Sequence, residues 1–395
     1  MTRADPFDRP GAAATSATRA TYVAFVGSGF AFASWASRIP QVRDRLHLSP
    51  SQLGLLLLAV AVGSLLALPL SGPLVARYGS RRVVASMAAL LGLALAVVSL
   101  GYLAGLVPVV VGLFLLGFAN GAWDVAMNVQ GAVVEQRLGR SVMPRFHAGF
   151  SLGTVAGALV GAAMVALAVP VTVHLLLVGL LVSAAVVRGV RAFVPDTHGE
   201  DDEDRPGALA AWREPRTLLV GVFVLAFAFA EGTGNDWVAV AMIDGYGATA
   251  TLGTLAFAAF LVAMTAGRWF GPGLLDRHGR VTVVRTLAGV AVAGLLLFVL
   301  GGSTPLAIVG ALLWGAGTSL GFPVGMSAAA DDPRRAAARV SVVSSIGYCA
   351  FLGGPPMIGF VGDRVGVLHA MTAVAALLAV AAMVATATRR PVPVT

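Results

Sequence analysis

Twelve stretches of this chain are long and apolar enough to cross a lipid bilayer, and together they take up almost all of it. They fall at 21–38, 52–74, 83–103, 107–133, 145–168, 170–190, 217–240, 251–270, 281–301, 305–328, 340–361 and 367–388, parted by short polar or Gly/Pro breaks. A helix rises about 1.5 Å per residue, so about 20 apolar residues span the roughly 30 Å of hydrocarbon, where no water can satisfy a bare backbone amide. Each stretch is therefore expected to be a helix, and the chain an all-α membrane protein. Composition agrees: 57% of residues are hydrophobic, 12% are charged and the mean hydropathy is +0.86, which is not the balance of a soluble globular protein.

The formal charge of +8 would point to nucleic acid only if the basic residues formed one solvent-facing patch. They sort by loop instead. All 27 are Arg, and alternate loops hold Arg77, Arg81 and Arg82, then Arg137, Arg140 and Arg145, then Arg188 to Arg216, then Arg277, Arg280 and Arg285, then Arg334, Arg335 and Arg339, and at the end Arg389 and Arg390. The opposite side holds Arg38, Arg43, Arg45 and Arg364. Such an excess marks the cytoplasmic face, so both termini are expected in the cytoplasm, with the chain in the cytoplasmic (inner) membrane. The expected surroundings are the lipid bilayer, with no nucleic-acid partner, and a monomer is expected. Residues 1–19 are polar and Ala-rich and lead directly into an apolar run, which reads as an uncleaved first helix.

Enzyme classes are disfavoured by what the chain lacks. Cys349 is the only cysteine, so no thiol pair can hold a metal or cycle through a disulfide. Intramembrane His-x-x-His, Gly-x-Ser-x-Gly and paired-Asp metal motifs are absent, as is any Lys for covalent catalysis. A non-enzyme with no metal and no cofactor is expected.

Residues 194–216, VPDTHGEDDEDRPGALAAWREPR, form the longest polar interruption and divide the helices six and six. His198 with the acidic run Glu200 to Asp204 reads as solvated linker in preference to a metal site. The expected organisation is an N-terminal extension at 1–20, a six-helix bundle at 21–193, a linker at 194–216, a second bundle at 217–388 and a tail at 389–395. The halves match each other at a nearly constant offset: Trp35 answers Trp237, Leu53-Gly54 answers Leu252-Gly253, and YGSRR at 78–82 answers HGRVT at 278–282. Repeats of this kind imply two six-helix bundles related by a pseudo-two-fold axis along the membrane normal, with a solute site between them near the midplane.

Residues 72–82, GPLVARYGSRR, resemble the loop 2-3 motif of the major facilitator superfamily, with Ala76 where that family has Asp. The second-half copy LLDRHGR keeps Asp276, Arg277, Gly279 and Arg280. The resemblance implies the major facilitator fold over essentially the whole chain, alternating access, and a charge latch at these loops. Within that superfamily, GAWDVAMN, VVEQRLGR and RFHAGFSLGTVAGALVG resemble the fucose:proton symporters and their uncharacterised bacterial relatives. That likeness implies a central-cavity carboxylate at Asp124 with Asn128 beside it, and a fifth-helix polar position near His147. A first-helix Asp of the symporters falls at Ala36 or a neighbour and is missing, which separates this chain from fucose itself.

The residues themselves point the same way. Asn120, Asp124 and Asn128 recur at i, i+4 and i+8, one stripe on one helix, with Gly117 and Gly121 beside it to admit a neighbouring helix or a ligand. An ionised Asp facing lipid costs about 3 kcal/mol or more, so the stripe should face the bundle interior or water. The Asn residues suit helix-helix hydrogen bonding and solute contact equally. EGTGNDW at 231–237 is the second-half counterpart, with Glu231 and Asn235 one turn apart and Asp236 on another face. Asp124 and Glu231 are the leading proton-coupling candidates, with Asp236 and His147 behind them; the proton is the expected coupling ion. Asn120, Trp123, Asn128, Asn235 and Trp237 are the solute-binding candidates, and Arg77, Arg81, Glu135, Arg140, Arg268, Asp276 and Arg277 the cytoplasmic gate candidates. The function these residues suggest is proton-coupled transport of a small polar, sugar-like solute. The alternatives are proton-driven export of an amphipathic drug or natural product and, more remotely, a substrate-free structural or receptor role.

Overall fold

The computed structural model describes residues 10–139, 142–196, 208–332 and 335–390. Among them the elements are helical throughout: α1 (Pro10–Ala36), α2 (Ile39–Leu46), α3 (Pro50–Tyr78), α4 (Ser80–Ala104), α5 (Leu106–Leu138), α6 (Met143–Ala166), α7 (Val171–Gly189), α8 (Ala208–Ala211), α9 (Pro215–Tyr246), α10 (Ala250–His278), α11 (Arg280–Leu300), α12 (Thr304–Thr318), α13 (Gly321–Ala329), α14 (Ala336–Val365), α15 (Val367–Ala370) and α16 (Thr372–Val384). Eleven helical segments are long and apolar enough to cross a membrane. Helix α1 covers most of the first expected span but is not among these eleven.

Two features depart from the sequence reading. The short helix α2 was not anticipated; it starts with Pro40 in its first turn and ends on His47 at φ 52°. The apolar run 305–328 reads as one helix, yet it breaks at Ser319 and Leu320 into α12 and α13. There Ser319 O is freed from the helical ladder and accepts from Arg268 Nε at 3.2 Å.

The chain divides into two compact units. The first comprises Met1–Trp35, Ala59–Gly157 and Val169–Glu200; the second comprises Ala36–Leu58, Ala158–Ala168 and Asp201–Thr395. In the first unit α4 packs on α5 and α7, and glycines set the closest approaches. A Cβ on Gly117 of α5 would overlap the Val60 carbonyl of α3, and one on Gly63 of α3 would overlap the Phe114 carbonyl. The small residues of α6 do the same toward α1, where Gly153 meets the Val26 carbonyl and Gly157 lies 3.2 Å from Ala33 Cβ when built as Ala. Close backbone packing is what holds apolar helices together where lipid supplies no hydrophobic drive. In the second unit α9 is the hub, in contact with α10, α14 and α16, while α11 packs on α12 and α16.

The internal repeat is visible in the backbone. Gly79 and Gly279, 200 residues apart, precede α4 and α11 with nearly the same conformation, φ 79°, ψ 152° and φ 76°, ψ 157°. A left-handed φ of this kind is open to Gly at little cost, which is why both copies of the loop carry one.

Candidate functional site

Helix α5 lies in the first unit, and the polar stripe there is half-buried along its length. Asn120 Oδ1 accepts from Ser28 Oγ of α1 at 2.9 Å, so this residue is spent partly on tying two helices together. Asn128 Nδ2 donates to the Asp124 carbonyl at 2.8 Å and to Asp124 Oδ1 at 3.3 Å. No cation lies within ion-pair reach of Asp124 among the described residues. Gly117 and Gly121 admit α3, against Val60 and Ser64 respectively, and Ser64 Oγ donates to the Gly117 carbonyl at 2.9 Å.

Gln130, on the same helix, belongs to a different cluster. With its amide nitrogen toward Ser80 it donates to Ser80 Oγ at 3.1 Å and pairs with the Val194 backbone at 3.0 and 3.1 Å. Asp196 completes this cluster: its carboxylate accepts from Ser80 N and from Ser80 Oγ, both at 2.6 Å. A carboxylate at the first amides of a helix offsets both their missing partners and the positive end of the helix dipole. Asp196 thus caps α4 at the loop whose expected carboxylate is replaced by Ala76.

In the second unit α9 carries Glu231, Asn235 and Asp236. Glu231 is bound by Arg268 of α10, whose Nη2 lies 2.8 Å from both carboxylate oxygens. Arg268 was expected at the cytoplasmic end of its helix among the gate residues. It lies instead ten residues before His278, the last residue of α10, and its role in the fold is to neutralise Glu231. Asp236 has neither a hydrogen bond nor an ion pair among the described residues. The oxygen of the Asn235 amide is buried without a partner.

The two tryptophans expected to offer aromatic faces to a solute have no exposed face in this structure. Trp123 and Trp237 are completely buried, each at 0% exposure, and they belong to the packed interior with Trp314. His147 is exposed and sits edge-on to Phe25 of α1, ring centroids 5.2 Å apart.

The gate candidates scatter. Glu135 accepts from the amides of Val142 and Met143, both at 2.7 Å, and so caps the start of α6. Arg77, Arg81, Asp276 and Arg277 are exposed, with Arg77 over the Tyr78 ring at 5.3 Å. Arg140, His198 and the acidic run 200–204 lie outside the described residues.

Ion pairs that sequence reasoning did not single out are better built. Arg43 of α2 binds Asp244 of α9 at 2.6 Å and Asp44 at 2.7 Å, all within the second unit. Asp331 is shared by Arg280 at 2.7 Å and Arg216 at 2.8 Å. Glu214, just before α9, accepts from Arg339 at 2.6 Å, Thr217 at 2.8 Å and Arg335 at 3.1 Å. The Arg339 hydrogen bond holds the Glu214 carboxyl below its ordinary range, against a smaller opposing effect of burial. The one signal for these partners was that each falls at a helix end, where Asp and Glu are free to meet an Arg from a distant helix.

Comparison with known proteins places this architecture. The family model described as Major Facilitator Superfamily matches residues 21–349. An uncharacterised transporter of Sinorhizobium fredii is 33% identical over 350 residues, covering 87% of this chain and 91% of the relative. Among solved structures, a mutant form of the nucleoside transporter NupG superposes with a TM-score of 0.77 at 13% identity, covering 95% of this chain and 99% of that one. A mutant form of the E. coli fucose:proton symporter FucP does so with a TM-score of 0.62 at 16% identity, covering 93% and 98%. Identities this low establish a shared fold and nothing finer. The multi-pass, all-α architecture in two compact units and the length of the family match agree, and this chain belongs to the major facilitator superfamily.

Proposed function

We propose that this protein is a secondary transporter that moves a small polar organic solute across the cytoplasmic membrane by alternating access, coupled to protons. The observation that carries the reading is a pair of membrane-interior carboxylates, Asp124 in the first unit and Asp236 in the second, that have no ion-pair partner among the described residues. A bare carboxylate in a low-dielectric setting is costly, and a proton removes the cost at once. A site that is protonated when dry and ionised when wet carries a proton each time it is exposed to one side and then the other. A proton entering down a potential of 100 mV contributes about 2.3 kcal/mol, enough to drive a modest uphill gradient.

Glu231 fits this role less well than the sequence suggested, because Arg268 already neutralises it. The polar side chains of Asn128 and Asn235 support a polar solute over an amphipathic one. Asn128 lies one turn from Asp124 and Asn235 one turn from Glu231, so a hydroxyl-rich solute would find donors and acceptors on the same two helices as the proton sites.

The test is uptake by purified protein in liposomes. A thermal-shift screen of sugars, sugar acids, nucleosides and hydrophobic cations selects the solute. An imposed acid-outside gradient is expected to accelerate its accumulation. Asp124→Asn and Asp236→Asn should each keep solute exchange and lose the response to the gradient. A gradient response unchanged in both variants refutes the assignment of these carboxylates. Stabilisation by hydrophobic cations alone moves the reading to export of amphipathic compounds.

A further inference from the structure

Around Arg268 the second unit holds more polar capacity than it uses. Glu231 and Asn235 are one turn apart on α9, and Thr265 and Arg268 are one turn apart on α10, so each pair shares a helix face. The two faces meet through the Glu231–Arg268 pair. Arg268 directs Nη2 to both Glu231 oxygens and Nε to the Ser319 carbonyl, which leaves the Nη1 amino group without an acceptor among the described residues. Thr265 Oγ1 and Asn235 Oδ1 are buried and equally without a partner. Arg268 is 25% exposed and Glu231 19%, so the cluster is reachable while most of its surface is dry.

Buried polar groups are normally paired, and two unpaired ones on the helix faces joined by this ion pair mark the place of a missing partner. Charge selects which partner. Arg268 is permanently cationic and only donates, Thr265 can donate, and the Asn235 amide can turn to present its NH2. All three can donate to an acceptor-only group, and hydrogen bonds between a guanidinium and a carboxylate are about twice as strong as neutral ones. An ammonium would meet the guanidinium's like charge. A neutral hydroxyl would find hydrogen bonds but no charge. Glu231 itself demonstrates that the guanidinium is placed to hold a carboxylate.

We propose that Arg268, Thr265 and Asn235 form an acid-recognising subsite, and that the solute carries a carboxylate. This deepens the transport reading above and rests on it. Arg268 is then a specificity-determining residue, with Glu231 as the counter-ion that offsets its charge and orients it when the site is empty.

The experiment titrates thermal unfolding of the purified full-length protein with glucuronate, glucose and glucosamine, which differ in one group. A charge-assisted contact predicts that glucuronate acts at concentrations about tenfold lower than glucose, with glucosamine weakest. The double variant Glu231→Gln/Arg268→Gln keeps the site uncharged and is checked for folding by its helical circular dichroism and its elution. It should lose the preference for glucuronate, and Thr265→Val should weaken glucuronate several-fold without affecting glucose. A preference for glucose or glucosamine, a glucuronate preference that survives in the folded double variant, or no shift by any of the three overturns the proposal. Failure of the transport reading shows separately: a solute that binds with this preference but is neither exchanged nor accumulated in liposomes leaves the subsite standing and removes its role in transport.

Discussion

Breaking the Glu231–Arg268 pair should cost more than removing it. Both carboxylate oxygens lie 2.8 Å from Arg268 Nη2, and the side chains are 19% and 25% exposed. Unit charges about 4 Å apart attract by about 4 kcal/mol at an effective dielectric near 20. Loss of one partner costs about 3–5 kcal/mol in a buried pair and about 0–1 kcal/mol in a solvent-exposed one. With three-quarters or more of each side chain covered, Glu231→Gln is expected to lose about 2–4 kcal/mol, because the guanidinium stays charged and keeps only the Ser319 carbonyl. Arg268→Gln should lose a similar amount, because the Glu231 carboxylate is then left without its counter-charge. The double variant should lose only about 1 kcal/mol, so the coupling energy of the cycle, the double loss less the two single losses, is about 3 kcal/mol or more in magnitude. The measurement is reversible unfolding of the four proteins in mixed detergent micelles. If the single losses add to the double within about 0.5 kcal/mol, the residues are uncoupled and the reasoning fails.

Three further outcomes follow from named contacts. Glu214 is held below its ordinary range in the folded protein, so its contribution to stability is complete above the unfolded-state value and is lost as pH falls through the depressed folded one; a melting profile across the acid range should flatten on that limb in Glu214→Gln. Asp196→Ala removes the acceptor for both Ser80 N and Ser80 Oγ and should cost about 1–3 kcal/mol, with earlier hydrogen exchange in the first turn of α4 than elsewhere in that helix. Gly153→Val places a branched side chain against the Val26 carbonyl of α1 and should cost about 1–3 kcal/mol or more by melting temperature, whereas Gly289→Ala, which meets open space, should leave stability unchanged or slightly raised.

The amino-acid sequence by itself determined the helices and their repeat. Apolar length is decisive in a bilayer because an isolated segment has no other way to satisfy its backbone, so spans such as 83–103 and 251–270 are readable without knowing their neighbours. Helical periodicity also showed that Asn120, Asp124 and Asn128 share a face, and the repeated loop put Gly79 and Gly279 in matching places. What periodicity does not contain is which neighbour meets that face. Only the tertiary structure decided that Glu231 is answered by Arg268, 37 positions away, while Asp236, five positions from Glu231, has no described partner. It also decided that α4 is capped by Asp196, 116 positions beyond Ser80, and that the Trp123 and Trp237 rings are enclosed in the interior. Pairing and enclosure are set by helices packed from distant parts of the chain, and the cost of a charge in the membrane depends on that packing rather than on the residue that bears it.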